Sequence, residues 1–157
     1  MAASIFRSRD IVMQTIAYRR SEIQVLDHTA DLGIIVKSPD LQTLFEDAAG
    51  YMMQMMVAPF EEGIGHDFAI RVEASDLEDL MVRWLGEILY LFEGEGQIVT
   101  SVRIEALSPW SLSAVVRRTP FDAEVHEVLC EIKAVTYHQI EVRERAGRWE
   151  SRIIFDV

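Results

Sequence analysis

The chain has 157 residues and a formal net charge of −11, from 15 Lys and Arg against 26 Asp and Glu. Its length corresponds to one ordinary domain, and a 50% hydrophobic content excludes a chain too polar to bury a core. The acidic balance also excludes a stand-alone nucleic-acid binder, because phosphate binding depends on clusters of Lys and Arg.

The number of cysteines and the hydropathy of the chain indicate the cellular compartment of the protein. The single Cys130 excludes an internal disulfide and a multi-cysteine metal cluster, which is typical of a reducing compartment. No apolar run approaches the roughly 20 residues that a membrane span requires. We therefore expect a cytoplasmic protein that does not bind membranes.

The opening of the chain lacks a regular pattern. Its apolar character is broken by Arg7, Arg9 and Asp10 before a signal-peptide core can form. We expect residues 1–21 to be an N-terminal extension, either disordered or the product of an upstream start codon, and residues 22–157 to form a single domain.

The first regular elements are a strand at 32–37 and a helix at about 40–57. Ser38 and Pro39 are suited to the cap and the first position of this helix, and apolar residues then recur at three- and four-residue spacing until Pro59. The methionines at 52–56 are typical either of an adaptable binding surface or of flexible core filling, and the helical spacing favours the core.

A loop at 60–67 and an alternating strand at 68–74 precede the clearest element, a helix at about 76–93. Ser75 and Glu78 have the spacing of a capping box, and an unbroken apolar stripe follows. The stripe contains Trp84, which we expect to be buried against a sheet.

The rest of the chain has the pattern of strands. We predict them at 98–107, 110–119, 128–137, 139–144 and 148–157, with short turns at Ser108-Pro109 and Ala146-Gly147. The fold class is therefore α+β, in two layers, with both helices on one face of a mainly antiparallel sheet.

The most unusual local string is residues 27–33, DHTADLG, which places carboxylates and an imidazole just before an apolar strand. Asp31 stands where the loop becomes a strand, a position from which its oxygens could bind Ca²⁺ or Mg²⁺. Asp is also favoured in turns for its own hydrogen bonds, so a purely structural role is the alternative.

The chain finishes with a similar feature. Asp156 ends the apolar run at 153–155, and Val157 follows with main-chain and terminal carboxylate oxygens. If this strand lay beside the one that contains Asp31, these oxygens could converge on one cation. A frayed polar terminus is the alternative.

Lys133 interrupts a strand that is otherwise rich in buried-type residues. It is suited either to a functional role or to an ordinary surface ion pair with Glu131 or Glu141. His126 and His138 have no His partner at helical spacing and no cysteine partner, which disfavours a zinc site.

Taken together, DHTADLG, the helix SDLEDLMVRWLGEILYLFE, the string EIKAVTYH and the terminal IIFDV resemble the archease family in order and spacing, over about residues 22–157. The first twenty residues have no counterpart in the family pattern. Residues 120–127, PFDAEVHE, match it only loosely.

This resemblance implies an accessory protein that activates the GTP-dependent RNA ligase of tRNA splicing and RNA repair, and is not itself an enzyme. It implies that Asp31, Asp156 and Val157 bind a divalent metal, with Ca²⁺ expected first and Mg²⁺ or Mn²⁺ as alternatives. It also implies that Lys133 is the functional lysine. The partner would be the ligase, without stable direct binding of nucleic acid.

Two other functions are compatible with the residues. An independent metal-dependent enzyme could use His28 or His138 as a general base beside the carboxylates. A chaperone-like binding module could use the methionines at 52–56. Guanylylation of a cognate ligase distinguishes these functions.

Overall fold

The computed structural model describes the backbone of residues 11–28 and 31–157, and the side chains of residues 14–26 and 31–157. In chain order its elements are β1 (Ile11–Tyr18), β2 (Ser21–His28), β3 (Asp31–Ser38), α1 (Leu41–Met56), β4 (Val57–Ala58), β5 (His66–Glu73), α2 (Leu77–Glu93), β6 (Gln97–Ser108), β7 (Ser111–Pro120), β8 (Glu127–Val128), β9 (Ala134–Val135), β10 (Glu141–Arg145) and β11 (Arg148–Asp156).

The strands within the described ranges form three antiparallel sheets. The largest has six strands in the order β1-β2-β3-β11-β10, and β9 pairs with the end of β11 that extends past β10. The second has the order β5-β7-β6, and β4 pairs with β8 in a third, two-stranded sheet. The two larger sheets are linked through the helices, because α1 and α2 both contact strands of each.

The predicted α+β class, with two helices packed on mainly antiparallel sheets, is confirmed. The predicted turns are also present. Ala146 and Gly147 have φ angles of 51° and 75° and join β10 to β11, as a two-residue hairpin turn with left-handed backbone requires. Ser108 and Ser111 close the turn between β6 and β7.

One predicted strand is wrong. Residues 128–137 form an irregular segment whose only strand residues are Val128, at the end of the two-residue strand β8, and the two residues of β9, and a turn follows at residues 138–139. The two strands pair with different sheets, β8 with β4 and β9 with β11. The segment is apolar enough to resemble a strand, but it crosses from one sheet to another.

The limits of the domain stay a prediction, but the six-stranded sheet includes part of the segment assigned to an extension. β1 pairs with β2 along Ile11–Tyr18, and Ile16 and Tyr18 pack against the core. Residues 1–10 lie outside the described residues. Ser21, which follows the turn, donates a hydrogen bond of 2.6 Å to the buried Asp47 of α1.

The N-cap residue of each helix lies one or two positions later in the chain than predicted. Asp40, and not Ser38, caps α1 by accepting a hydrogen bond of 2.7 Å from the Thr43 N–H. Asp76, and not Ser75, caps α2 by accepting one of 2.7 Å from the Asp79 N–H. Serine and aspartate are similarly strong N-cap residues, so the backbone geometry and not side-chain preference selects the aspartate in each turn.

The hydrophobic core is built from the buried faces of α1 and α2 and the strands that they contact. Trp84 is fully buried, as expected, and its indole N–H donates a hydrogen bond of 2.9 Å to the Phe45 carbonyl of α1. Met52, Met53 and Met56 are also fully buried. The methionine cluster therefore fills the core, as the helical spacing of the methionines predicted.

Neither α1 nor α2, the helices of the described part of the chain, has the length and apolar content that crossing a membrane would require.

The bond between the helices gives a test of the fold. Replacing Trp84 by Phe removes a hydrogen bond worth about 1 kcal/mol and leaves a cavity that costs about 1 kcal/mol more. We expect W84F to lower the free energy of unfolding by about 2 kcal/mol in urea denaturation. Trp110 is 65% exposed, so W110F should change it by less than about 0.5 kcal/mol. Equal effects of the two variants would contradict this packing.

Candidate functional site

The register of β3 with β11 brings Asp31 and Asp156 together. β3 begins at Asp31 and β11 ends at Asp156, and antiparallel pairing places the two residues directly opposite each other. Opposite residues of an antiparallel pair project to the same face of the sheet with Cβ atoms about 4.5–5.5 Å apart. Asp156 is exposed and Asp31 is half-buried, so the pair lies at the surface.

Gly33 allows the neighbouring strands to pack closely beside this pair. It lies opposite Ile154 in the same register. A Cβ atom at Gly33 would come within 2.8 Å of Ile154 Cδ1 and 3.4 Å of Leu26 Cβ. The glycine of the DHTADLG string is therefore explained by packing against β11 and β2.

Lys133 lies next to the carboxylate pair. Its backbone N–H donates a hydrogen bond of 2.7 Å to the Asp156 carbonyl, just before β9 pairs Ala134 with Asp156. Its side chain is exposed and makes no ion pair with any other described side chain, whereas Glu141 pairs with Arg143 at 3.4 Å. The ion pair with Glu131 or Glu141, considered from the sequence, is not found.

The segment after Lys133 is tied to β11 and α2. The N–H and hydroxyl of Thr136 both donate to the Ile154 carbonyl, at 3.0 and 2.9 Å. The hydroxyl of Tyr137 donates a hydrogen bond of 2.6 Å to Asp79, in the first turn of α2. These bonds fix the backbone that carries Lys133 relative to Asp156.

The hydrogen bonds that hold Tyr137 against α2 form an anchor for this segment, and Asp79 lies at its centre. The sequence did not mark Asp79 as a functional residue. Hydrogen bonds from the Tyr137 hydroxyl, the Ser75 N–H and the Arg83 guanidinium hold the pKa of Asp79 well below its usual range. The hydrogen bond to Asp79 in turn raises the pKa of Tyr137. The one sequence feature that could have indicated a role for Asp79 is the acidic first turn of the helix, and many helices share that feature.

The histidines lie in different surroundings. The backbone of β2 places His28 opposite Asp31, and the His28 side chain is outside the described residues. His138 is exposed, and the ring of His126 accepts a hydrogen bond of 3.0 Å from the Asp122 N–H. Among the side chains that are described, no three of His, Cys, Asp or Glu are grouped to hold a metal.

A separate cavity of about 490 Å³ lies between α1, β6 and the turn after β1. Its charged residues include Arg19, which lies 3.5 Å from Asp47 and is also bonded to Glu62. Burial raises the pKa of Asp47. The cavity does not include any of the predicted site residues.

The donor set at Asp31 and Asp156 fits a hard cation. Carboxylate oxygens are the preferred ligands of Ca²⁺ and Mg²⁺, and two aspartates directly opposite on a sheet repel each other unless a positive charge lies nearby. Val157 follows Asp156 at the exposed end of β11, and its main-chain oxygen is a further candidate ligand.

Comparisons with known proteins show the family and the fold of the chain. The sequence profile of the Archease protein family matches residues 24–157. The chain belongs to the archease family. Archeases of Methanosarcina mazei and Methanosarcina acetivorans are 30% and 31% identical to it over 138 residues, which cover 85% of this chain and 94% of each relative.

Two solved structures share the fold. The solution structure of Protein 1598 from Methanobacterium thermoautotrophicum superposes with a TM-score of 0.67 at 25% identity, covering 86% of this chain and 98% of that one. The crystal structure of an archease, possible chaperone, from Thermotoga maritima gives a TM-score of 0.57 at 16% identity, covering 83% and 94%. The second shows similarity of fold alone.

The bond between Tyr137 and Asp79 gives a test of the anchor. We expect Y137F to raise the pKa of Asp79 towards its usual value of 3.8, because the largest cause of the depression is removed. Carboxyl NMR titration measures this shift, and Y90F is a control on an exposed tyrosine of the same helix.

The same variant has a predictable pH dependence. A depressed folded-state pKa stabilises the fold above the unfolded pKa, and this stability is lost as the pH falls through the folded pKa. Y137F should therefore be less stable than the wild type at pH 7, with a difference that shrinks as the pH falls below 3.8. A difference independent of pH would contradict the anchor.

Proposed function

We propose that this chain activates a GTP-dependent RNA ligase of tRNA splicing or RNA repair, by promoting guanylylation of the ligase and its repeated turnover. The observation that carries the proposal is the register of β3 with β11, which places Asp31 opposite Asp156 beside Lys133 in a member of the archease family. These are the residues that the family resemblance marks as functional.

The two aspartates would hold a divalent cation, with Ca²⁺ first and Mg²⁺ or Mn²⁺ as alternatives. Asp31 and Asp156 would supply carboxylate oxygens and Val157 a main-chain oxygen, and a cation of six to eight ligands would take the others from water or from the ligase. When bound, the cation offsets phosphate charge during nucleotidyl transfer.

Lys133 would contribute a second positive charge at the same surface. The backbone of Lys133 is bonded to Asp156, its side chain is exposed, and an ammonium is a compact point charge suited to phosphate. Because Asp156, Val157 and Lys133 are all exposed, they can enter the active site of another protein. This arrangement supports an accessory role better than an independent one.

The overall charge supports a protein partner in place of RNA. A net charge of −11 repels phosphate, while the ligase must present positive charge to bind its RNA substrate. We therefore expect the chain to contact the ligase and not to form a stable complex with RNA.

The alternatives have weaker support. A chaperone-like use of the methionines at 52–56 is disfavoured, because Met52, Met53 and Met56 are fully buried. An independent enzyme requires a general base beside the aspartates, and the backbone position of His28 makes it the candidate to test. RNA joining or hydrolysis by the purified chain without ligase would favour that function.

Metal binding can be measured without the ligase. Ca²⁺ at about 100 times its dissociation constant should stabilise the chain by about 2.7 kcal/mol, because the cation binds only the folded state. We expect this increase in thermal stability to vanish in D31A and D156N and to persist in E93Q, a change at an exposed glutamate of α2. Unchanged stabilisation in D31A would contradict the metal site.

Activation is measured with limiting ligase at fixed GTP and divalent metal, with and without this chain. D156N, or removal of Val157, should abolish activation while the fold persists, because both residues lie at the exposed end of β11. K133A should reduce activation by more than about tenfold, which exceeds the 0–1 kcal/mol of an exposed ion pair.

Two variants serve as controls for this assay. R103A removes an exposed charge whose ion-pair partner among the described residues is the exposed Glu105, and E93Q removes an exposed carboxylate. Both should activate like the wild type. If the wild type changes neither guanylylation nor turnover of the ligase from its own organism, the proposed function is wrong.

A further inference from the structure

The segment between β7 and β9 exposes large apolar side chains to solvent. Val125, Val128 and Leu129 are 58%, 47% and 55% exposed. Three such residues within five positions form a patch, whereas single exposed apolar residues are ordinary on protein surfaces. The proposed metal site uses none of them.

This exposure is not the result of a loosely held chain. Val128 pairs with Val57, and the Leu129 N–H donates a hydrogen bond of 2.8 Å to the Met56 carbonyl at the end of α1. At the other end, Phe121 packs edge-on against Phe92 and bonds through its N–H to the Gly96 carbonyl at 2.8 Å. The backbone is fixed, and the apolar side chains remain outside the core.

A small cavity adjoins the patch. It has a volume of about 150 Å³, and Pro59, Ile64 and Val125 line it, with Ile64 also exposed. Thr100, Thr119 and His126 also line it, but its exposed walls are mainly apolar, and a cavity of this size is suited to one aliphatic or aromatic side chain from a partner. Such buried anchors provide much of the binding energy of protein interfaces.

Negative charge surrounds the apolar side chains. Residues 121–131 contain no Lys or Arg and four acidic residues, and Glu61 lies at the cavity. All four are exposed, namely Asp122, Glu124, Glu127 and Glu131. Glu124, Glu127 and Glu131 form no ion pair with the described part of the chain. We call residues 121–131, with Pro59, Glu61 and Ile64, the acidic apolar surface.

The acidic apolar surface lies close to the candidate site. Leu129 and Lys133 are four residues apart, which limits the distance between their Cα atoms to about 14 Å. Lys133 is in turn bonded to Asp156. A protein that docks on this surface therefore has its own groups within reach of both functional residues.

We infer that the acidic apolar surface is the docking site for the ligase, and that it binds a ligase segment in which Lys or Arg residues surround one aliphatic or aromatic anchor. The anchor fills the cavity at Ile64 and Val125, and the basic residues face the carboxylates. This inference rests on the proposed function and names the surface through which it operates.

The negative charge of the acidic apolar surface determines which kind of partner can bind there. A second copy of the chain would bring the same carboxylates against each other, and like charges across an interface cost several kcal/mol. Nucleic acid would be repelled by the same groups. A basic protein segment is the occupant that gains from both the apolar contacts and the charge.

The experiment measures the affinity of the full chain for the ligase by calorimetry, separately from activation. V128S/L129S and E124K/E127K should each weaken binding by at least about tenfold, or 1.4 kcal/mol. The matched control Y90S/W110S removes two equally exposed aromatic residues elsewhere and should bind within about twofold of the wild type. D156N should keep its affinity while it loses activation. Circular dichroism verifies that each variant is folded.

The outcomes separate this inference from the proposed function. If the wild type activates the ligase and both surface variants bind as tightly as it does, the docking site is wrong and the function stands. If the wild type does not bind the ligase, the inference is overturned, and the activation assay decides the function independently. Sedimentation that shows a wild-type dimer and monomeric surface variants would assign the surface to self-association and overturn the inference.

Discussion

Antiparallel pairing of β3 with β11 is the constraint on which both the core and the candidate site depend. The register that pairs Ile34 with Ile153 directs both side chains into the core, and the same register sets Asp31 opposite Asp156. A slip of one residue would turn each buried side chain to the other face. The hydrophobic effect that fixes the core therefore also fixes the position of the two carboxylates.

The sequence predicted the helices well, because each has a long apolar stripe that only a helix can bury on one side. The caps were misplaced by one or two residues, since SPD and SD each contain more than one residue able to cap, and only the backbone geometry selects Asp40 and Asp76. Residues 128–137 have the composition of a strand, but they cannot form one continuous strand because their pairing partners lie in two different sheets. Strand β1 was missed because its start follows an arginine-rich opening without a clear pattern.

The residues of the candidate site stand out in the sequence, whereas the strand order that brings them together does not. Asp31 immediately precedes an apolar run, Lys133 interrupts one and Asp156 ends one, and each of these positions can be recognised from the sequence. That β11 lies between β3 and β10 depends on strand order, which spacing does not encode. The hydrogen bond from Tyr137 to Asp79 joins residues that are far apart in sequence and have no shared pattern, so only the structure reveals it.

The pairing of β3 with β11 also has a kinetic consequence. The two strands come from nearly opposite ends of the domain, so their contact closes a loop of almost the entire chain. Contacts of such high sequence separation form late, because loop-closure entropy opposes them until other structure is present. The two aspartates meet only once β3 and β11, which flank both helices in the sequence, have paired. A partly folded chain therefore lacks the paired carboxylates, and the integrity of the site reports on the folding of the entire domain.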